Sequence, residues 1–163
     1  MLDHGRLKEL LHYEPDTGIF YWRVSRQCVR AGTRAGGRHR SGYWLIRVEG
    51  KQYGAGPLAW FYMTGRWPDK QVDHVNTDKA DNRWVNLRLA TQGQNNANRS
   101  VCSSNKLGVK GVHLHKNRYR ASIRENGKTK HIGVFDTVEQ AALAYAEHAR
   151  RIHGEFARST AHT

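Results

Sequence analysis

The stretch 72–98 reads VDHVNTDKADNRWVNLRLATQGQNNAN. It is crowded with Asp, Asn and Arg, and little in it beyond Val72, Val75, Trp84, Val85, Leu87 and Leu89 can fill a core. A segment this polar inside a folded protein is either a loop or a site. Asp73 and His74 stand side by side at a strand end, and Asn86, Asn95 and two arginines, Arg83 and Arg88, follow at intervals. Asp78 and Asp81 suit the turn between strands.

The sequence around it says what such a site faces. Lys and Arg total 27 against 14 Asp and Glu in 163 residues, a formal charge of +13, and the sequence pI is about 10.2. Like charges repel in the compact state, so a surplus of this size points to a polyanionic partner, of which nucleic acid is the commonest. A membrane surface would call for a broad apolar helix face or a long apolar run. The most apolar run, Leu58–Met63 (LAWFYM), is far too short to span a bilayer, and no signal-peptide pattern opens the chain. Cys28 and Cys102 are the only cysteines, too few for a disulfide framework or a Cys-rich zinc site. A reducing, cytoplasmic setting is the simplest reading, with any metal held by oxygen and imidazole.

Upstream, residues 1–56 read as a short helix (Leu7, Leu10, Leu11) and then β-rich sequence. Tyr13–Trp22 reads as a strand or hairpin with Pro15-Asp16-Thr17-Gly18 as the turn, and Tyr43–Val48 as a second hairpin turning at Glu49-Gly50 into Lys51–Tyr53. Pro57 starts a brief helix at its first position and Gly65 ends it. Downstream, Ser100–Lys106 has the small polar texture of a linker. Gly108–Phe135 reads as three strands with turns near His115-Lys116-Asn117 and Glu125-Asn126-Gly127. Tyr119, Ala121 and Ile123 alternate with Arg118, Arg120, Ser122 and Arg124, the pattern of a half-buried strand with one basic face. A helix follows from Thr137, its N-cap with Gln140 as capping-box partner, to His153, with Ala142, Tyr145, Ala149 and Ile152 as its apolar stripe and Gly154 as its stop.

Hydrolysis of a phosphodiester needs a hard cation to polarise a non-bridging oxygen, a base to deprotonate water, and a donor for the charge that develops. Asp73 offers a carboxylate, and His74 an imidazole, a group that titrates near working pH. A DH dipeptide alone is common by chance. In register with DNR, NLR and a closing QN, however, the block resembles the HNH nuclease family, in its phage-type homing-endonuclease branch. The signature positions fall on His74, Asn86 and Asn95. The resemblance implies His74 as general base, Asp73 and Asn95 as holders of one divalent metal (Mg²⁺ or Mn²⁺, for so hard a donor set), and Asn86 as the residue that fixes the loop presenting His74. Arg83 and Arg88 are the candidates for phosphate contacts. One departure is visible: Gly56 and Pro57 stand where that branch carries a His-Arg pair.

Residues 107–157 resemble an AP2 domain, through Gly111-Val112, Arg120–Arg124, Ile132–Phe135 and Glu139–Tyr145. That resemblance implies a three-stranded antiparallel sheet packed on one helix, its sheet face set in the DNA major groove. The residues expected to meet DNA are His113, His115, Arg118, Arg120, Arg124 and Lys130. His131 replaces a tryptophan common in that family.

The expected fold is therefore α+β: residues 1–56 as a β-rich support, a small ββα-metal (HNH) nuclease core over 57–99, a linker over 100–106, and the AP2-like domain over 107–157. The expected function is a sequence-specific endonuclease of homing type. One site per chain makes it a nickase, acting as a monomer on double-stranded DNA, with no membrane or small-molecule substrate. If phage-encoded, it works in the bacterial host cytoplasm. The Gly56–Pro57 departure grounds the alternative, a catalytically decayed protein that only binds DNA. An RNA-directed role lacks the usual aromatic stacking pattern.

Overall fold

The computed structural model of the chain describes residues 2–26, 28–99, 101, 105–125 and 127–157. Ser100 and Cys102–Ser104 of the expected linker, and Asn126 of the expected turn, lie outside the described residues. The chain divides into two compact units, Met1–Ala90 and Thr91–Thr163, each with its own hydrophobic cluster. No described helix is long and apolar enough to cross a membrane.

In the first unit, Asp3 caps helix α1 (His4–Leu10) by accepting from the Arg6 N–H, and the helix buries Leu7 and Leu10. Strands β1 (Leu11–Glu14) and β2 (Ile19–Trp22) pair antiparallel, Leu11 opposite Trp22 and Tyr13 opposite Phe20. Those four side chains share the inward face, as the period of two requires. A second sheet orders β3 (Gly37–Arg38), β4 (Trp44–Val48) and β5 (Lys51–Gly54). Glu49 (φ 48°) and Gly50 (φ 78°) turn β4 into β5, both left-handed as a two-residue hairpin matched to strand twist demands. Helix α2 (Ala55–Thr64) starts two residues before Pro57. Proline is tolerated at its third position because the first four helical N–H groups lack intrahelical acceptors. Gly65, at φ 72°, closes the helix with its N–H on the Phe61 carbonyl. Leu7, Leu11, Tyr13, Phe20, Ile46 and Leu58 are fully buried in one cluster that also takes Leu87. The β-rich start and the motif-bearing strands thus share a core. Those strands, β6 (Gln71–His74) and β7 (Leu87–Ala90), pair antiparallel, and α2 packs on β6.

The second unit opens on helix α3 (Gln92–Asn98), held by a full capping box between Thr91 and Gln94. A substitution that removes such a cap typically costs ~1 kcal/mol. The Lys110 ammonium donates to the carbonyls of Asn96, Ala97 and Arg99 at the other end of α3. Strands β8 (Val112–His115), β9 (Arg118–Glu125) and β10 (Lys128–Phe135) form an antiparallel sheet ordered β10-β9-β8, and α4 (Val138–His153) packs on it. Thr137 caps α4 by accepting from the Gln140 N–H at 3.2 Å. The buried stripe of α4 is Ala141, Tyr145 and Ala149, so Ala141 takes the place expected of Ala142. Spacing of four, rather than three then four, keeps these residues over the sheet. At Gly111 (φ 71°) a Cβ would lie 2.1 Å from the Tyr145 ring, so only glycine lets β8 approach α4 this closely.

The β1–β2 turn is seated against the segment between β6 and β7. The Tyr13 hydroxyl donates to the Asn82 carbonyl at 2.7 Å, and the Trp84 N–H donates to the Pro15 carbonyl at 2.9 Å. Gly18, at φ 71°, fits so tightly that a Cβ would lie 2.3 Å from the Arg83 nitrogen. Gly50 shares that backbone conformation, but a Cβ there meets nothing within 4 Å. Gly50→Ala therefore carries only the left-handed backbone cost, about 1–2 kcal/mol, whereas Gly18→Ala adds a clash with backbone that cannot rotate away. Denaturant unfolding of the two variants should show the larger loss at Gly18. Equal losses would mean that the turn is not held against the 82–84 backbone.

Candidate active site

Asp73 and His74 close strand β6, each only 6% exposed. Opposite them on β7 stand Arg88 and Leu87. Between the strands the chain makes a loop of short polar side chains and one 3-10 turn, Trp84–Asn86. Burying so many amides is unfavourable unless each finds a partner. Among the described residues no buried side-chain nitrogen or oxygen lacks one.

The partners are specific. The Asn86 amide group donates to the Asn76 side-chain oxygen at 3.0 Å and to the Asp81 carbonyl at 2.7 Å, while its own oxygen accepts from the Asn76 N–H at 3.0 Å. The Val75 N–H reaches the Asn86 carbonyl at 2.9 Å. Asn86 therefore ties the residues just after His74 to the far end of the loop. Asp78 accepts from the Ala80 N–H, and Asp81 from the Asn76 amide, both as turn residues.

Asn82 governs His74. Its amide nitrogen donates to the Ala80 carbonyl at 3.0 Å, which turns Oδ1 toward His74 Nε2, 3.2 Å away. An amide oxygen only accepts, so Nε2 carries the hydrogen and the imidazole's basic lone pair lies on Nδ1. Asn82, 3% exposed, has no role in the sequence reading, although it lies within the DNR match. Its signal was there, an amide eight residues past the histidine, but nothing in the sequence says that this amide folds back onto the ring.

Asp73 Oδ2 accepts from Arg88 Nε at 3.0 Å. Arg88 has a side chain only 14% exposed and faces the site carboxylate, although the sequence suggested a phosphate contact. Arg83 clasps Asp81 through Nε at 2.8 Å and Nη2 at 2.6 Å, yet its side chain remains 49% exposed. Asn95 lies on α3, in the second unit, and is half-buried. Among the described residues no three His, Cys, Asp or Glu side chains converge as a metal-ligand group. The Asp73 carboxylate is a hard oxygen donor of the kind that takes a divalent cation.

In the second unit the strand register sorts the other expected residues. His113 pairs with Arg120 and His115 with Arg118. These four and Arg124 share the face of the sheet turned away from α4, since Ala121 and Ile123 are buried beneath the helix. Arg120 packs on His115, its Nη2 within 3.0 Å of the ring, and Arg118 pairs with Asp136 at 2.7 Å. Lys130 is corrected: it pairs with Ile123, which puts it on the helix side, and its ammonium lies 3.7 Å from Glu125. Thr129, His131 and, past the bulge, Val134 are outward positions of β10, opposite Arg124, Ser122 and Arg120.

Residues 53–97, which include both site strands, match the family model described as HNH endonuclease. An HNH endonuclease of Acanthamoeba polyphaga mimivirus is 45% identical over 96 residues, 58% of this chain and 50% of that protein. Protein 3.8 of Escherichia phage T7 is 33% identical over 89 residues, 53% of this chain and 73% of that protein. Residues 53–97 of the chain are thus similar to an HNH endonuclease domain. The chain spans half the length of the mimivirus relative, and no solved structure matches it.

Electrostatics within this HNH domain favours the same loop. Hydrogen bonding to Arg83 holds the Asp81 carboxyl at about 2, from the ordinary 3.8. Burial, with the Asp81 charge as a second cause, pushes the Tyr13 phenol up, so it stays a donor to Asn82. A carboxyl depressed on folding contributes stability that is complete above its unfolded value and lost as pH falls through its folded one. The stability difference between wild type and Asp81→Asn should therefore be present at pH 6 and fade between about pH 4 and 2. Thermal melts across that range test it, and a difference independent of pH would remove the Asp81–Arg83 pair from the account.

Proposed function

We propose that this protein cuts double-stranded DNA, with His74 as the general base. The observation that carries this reading is a buried histidine at the end of β6, its Nε2 engaged by Asn82, in a segment matched to HNH endonucleases. His74, held in place by that contact, is the group that takes a proton from the attacking water. Asn82 fixes the tautomer and the ring, and Asn86 fixes the loop. Asp73, oriented by Arg88, would hold one Mg²⁺ or Mn²⁺. Such an ion supplies charge stabilisation at the scissile phosphate and the leaving oxygen.

One site per chain supports nicking by a monomer, in the manner of a homing enzyme, and a phage-encoded copy would act in the host cytoplasm. The chemistry of the site is indifferent to base sequence, so selectivity needs a reader. The second unit, read as AP2-like, offers a basic sheet face with Arg118, Arg120 and Arg124 beside His113 and His115, a shape the major groove accepts. One observation favours the second reading, a decayed enzyme that only binds. A Cβ at Gly56 would lie 3.7 Å from His74 Cε1 and 3.4 Å from Asn82 Oδ1, so the departure at Gly56–Pro57 leaves a corner of the site without a side chain.

Nicking of supercoiled plasmids carrying phage-derived or random inserts, in Mg²⁺, Mn²⁺ or EDTA, separates the two. Metal-dependent nicking that falls about 10²–10⁴-fold in His74→Ala, and falls also in Asn82→Ala, is the expected outcome. A wild-type protein that shifts the same DNA on a gel yet never cuts it would establish the binding-only reading. Gly56→His with Pro57→Arg would then be the variant expected to restore cutting.

A further inference from the structure

From Thr17 to Val48 the chain carries seven arginines and no Asp or Glu. All seven are exposed, and none forms an ion pair among the described residues. Uncompensated charge of this density opposes folding, yet aromatic rings of the segment hold two of the guanidinium groups in place. The Arg26 guanidinium lies 3.9 Å from the centre of the Trp22 ring, and Arg34 lies 3.7 Å from that of Trp44. Strand β3 pairs Arg38 with Trp44. A tight turn then brings the His39 N–H onto the Tyr43 carbonyl at 2.8 Å.

That turn reaches the site. Tyr43 is 41% exposed, and its ring centre lies 6.2 Å from that of His74. Lys79, on the loop that follows His74, lies over the Tyr43 ring at 4.9 Å and donates to the Ser41 carbonyl at 3.1 Å. The charged strip therefore ends within one ring's width of the proposed base. Cations gathered along one segment, held on aromatic rings and without an ion pair among the described residues, match the sign of a phosphate backbone.

We propose that this arginine-rich strip, ending in Arg38, Arg40 and Lys79 beside His74, is where the first unit itself grips the DNA backbone. The proposal rests on the nuclease reading for its partner and adds the surface that holds it. Sequence-independent affinity then belongs to the first unit, whatever the second unit reads.

The test is the salt dependence of binding to a short random-sequence DNA duplex. The protein is the full chain carrying His74→Ala, in EDTA, followed by fluorescence anisotropy. Arg38→Gln, Arg40→Gln and Lys79→Gln combined should lower the slope of log affinity against log salt by about 1 for each residue, with a similar loss on every sequence. A charge-matched control, Arg6→Gln with Lys8→Gln and Arg151→Gln, should leave the slope nearly unchanged. Lys79→Gln alone should lower it by about 1, which keeps the proposal testable if the triple variant folds poorly. An unchanged slope in Lys79→Gln and in a folded triple variant overturns the proposal, as does an equal fall in the control. Plasmid cutting by the otherwise wild-type protein is scored separately. Cutting with an unchanged slope sinks this inference alone, and a lowered slope without cutting sinks the nuclease reading alone.

Discussion

Within the first unit, the seating of the β1–β2 turn on the Asn82–Trp84 backbone is the contact on which the site depends. Two hydrogen bonds and one close contact converge there: the Tyr13 hydroxyl on the Asn82 carbonyl, the Trp84 amide on the Pro15 carbonyl, and the close approach that only Gly18 permits. The loop has few apolar side chains to anchor it. Held from outside by a hairpin that is itself rooted in the core through Tyr13 and Phe20, it cannot drift. The position of Asn82 follows, and from Asn82 the tautomer and angle of His74.

The loop's interior is built almost entirely from neutral amides. Asn76 and Asn86 bond each other and the backbone, and Asn82 joins His74 to the Ala80 carbonyl, while the nearby charges are paired, Asp73 with Arg88 and Asp81 with Arg83. A fully satisfied polar network is rigid because each member loses a bond if any other moves. For a base that must meet a phosphate and a water in one geometry, that rigidity is what counts. Amides also bring no net charge to repel a polyanion. Cations without an ion pair among the described residues lie outside this network, on the arginine-rich strip.

Much of the site was legible in the sequence, and the losses are instructive. The spacing of His74, Asn86 and Asn95 marked the motif, and the Asp73-His74 pair marked a strand end. The sequence reading gave Arg88 to phosphate because an arginine near a site suggests that partner, but antiparallel register set it directly across from Asp73. It missed Asn82 because the fold back from residue 82 to residue 74 is a loop conformation, not a period. Lys130 went to the wrong face for the same kind of reason. Alternation in β9 is plain, but which residue of β10 faces Ile123 depends on the turn between them. A one-residue change of register exchanges the two faces of a strand.

The sequence by itself determined the secondary elements with strong local chemistry. The hairpin turns at Pro15–Gly18 and Glu49-Gly50, the glycine stop at Gly65, the Thr137 cap and the charge excess all follow from neighbours within a few residues, where propensity and period operate. It also carried the motif, because spacing is a property of the chain. Tertiary structure alone decided that residues 1–56 share a core with the site strands. It alone decided that Gly18 bears on Arg83, that Asn82 meets His74 at Nε2, and that an arginine-rich strip ends near the imidazole. Each of those depends on a contact between segments tens of residues apart. Such contacts are fixed by which side chains can be buried together, and no local pattern records that.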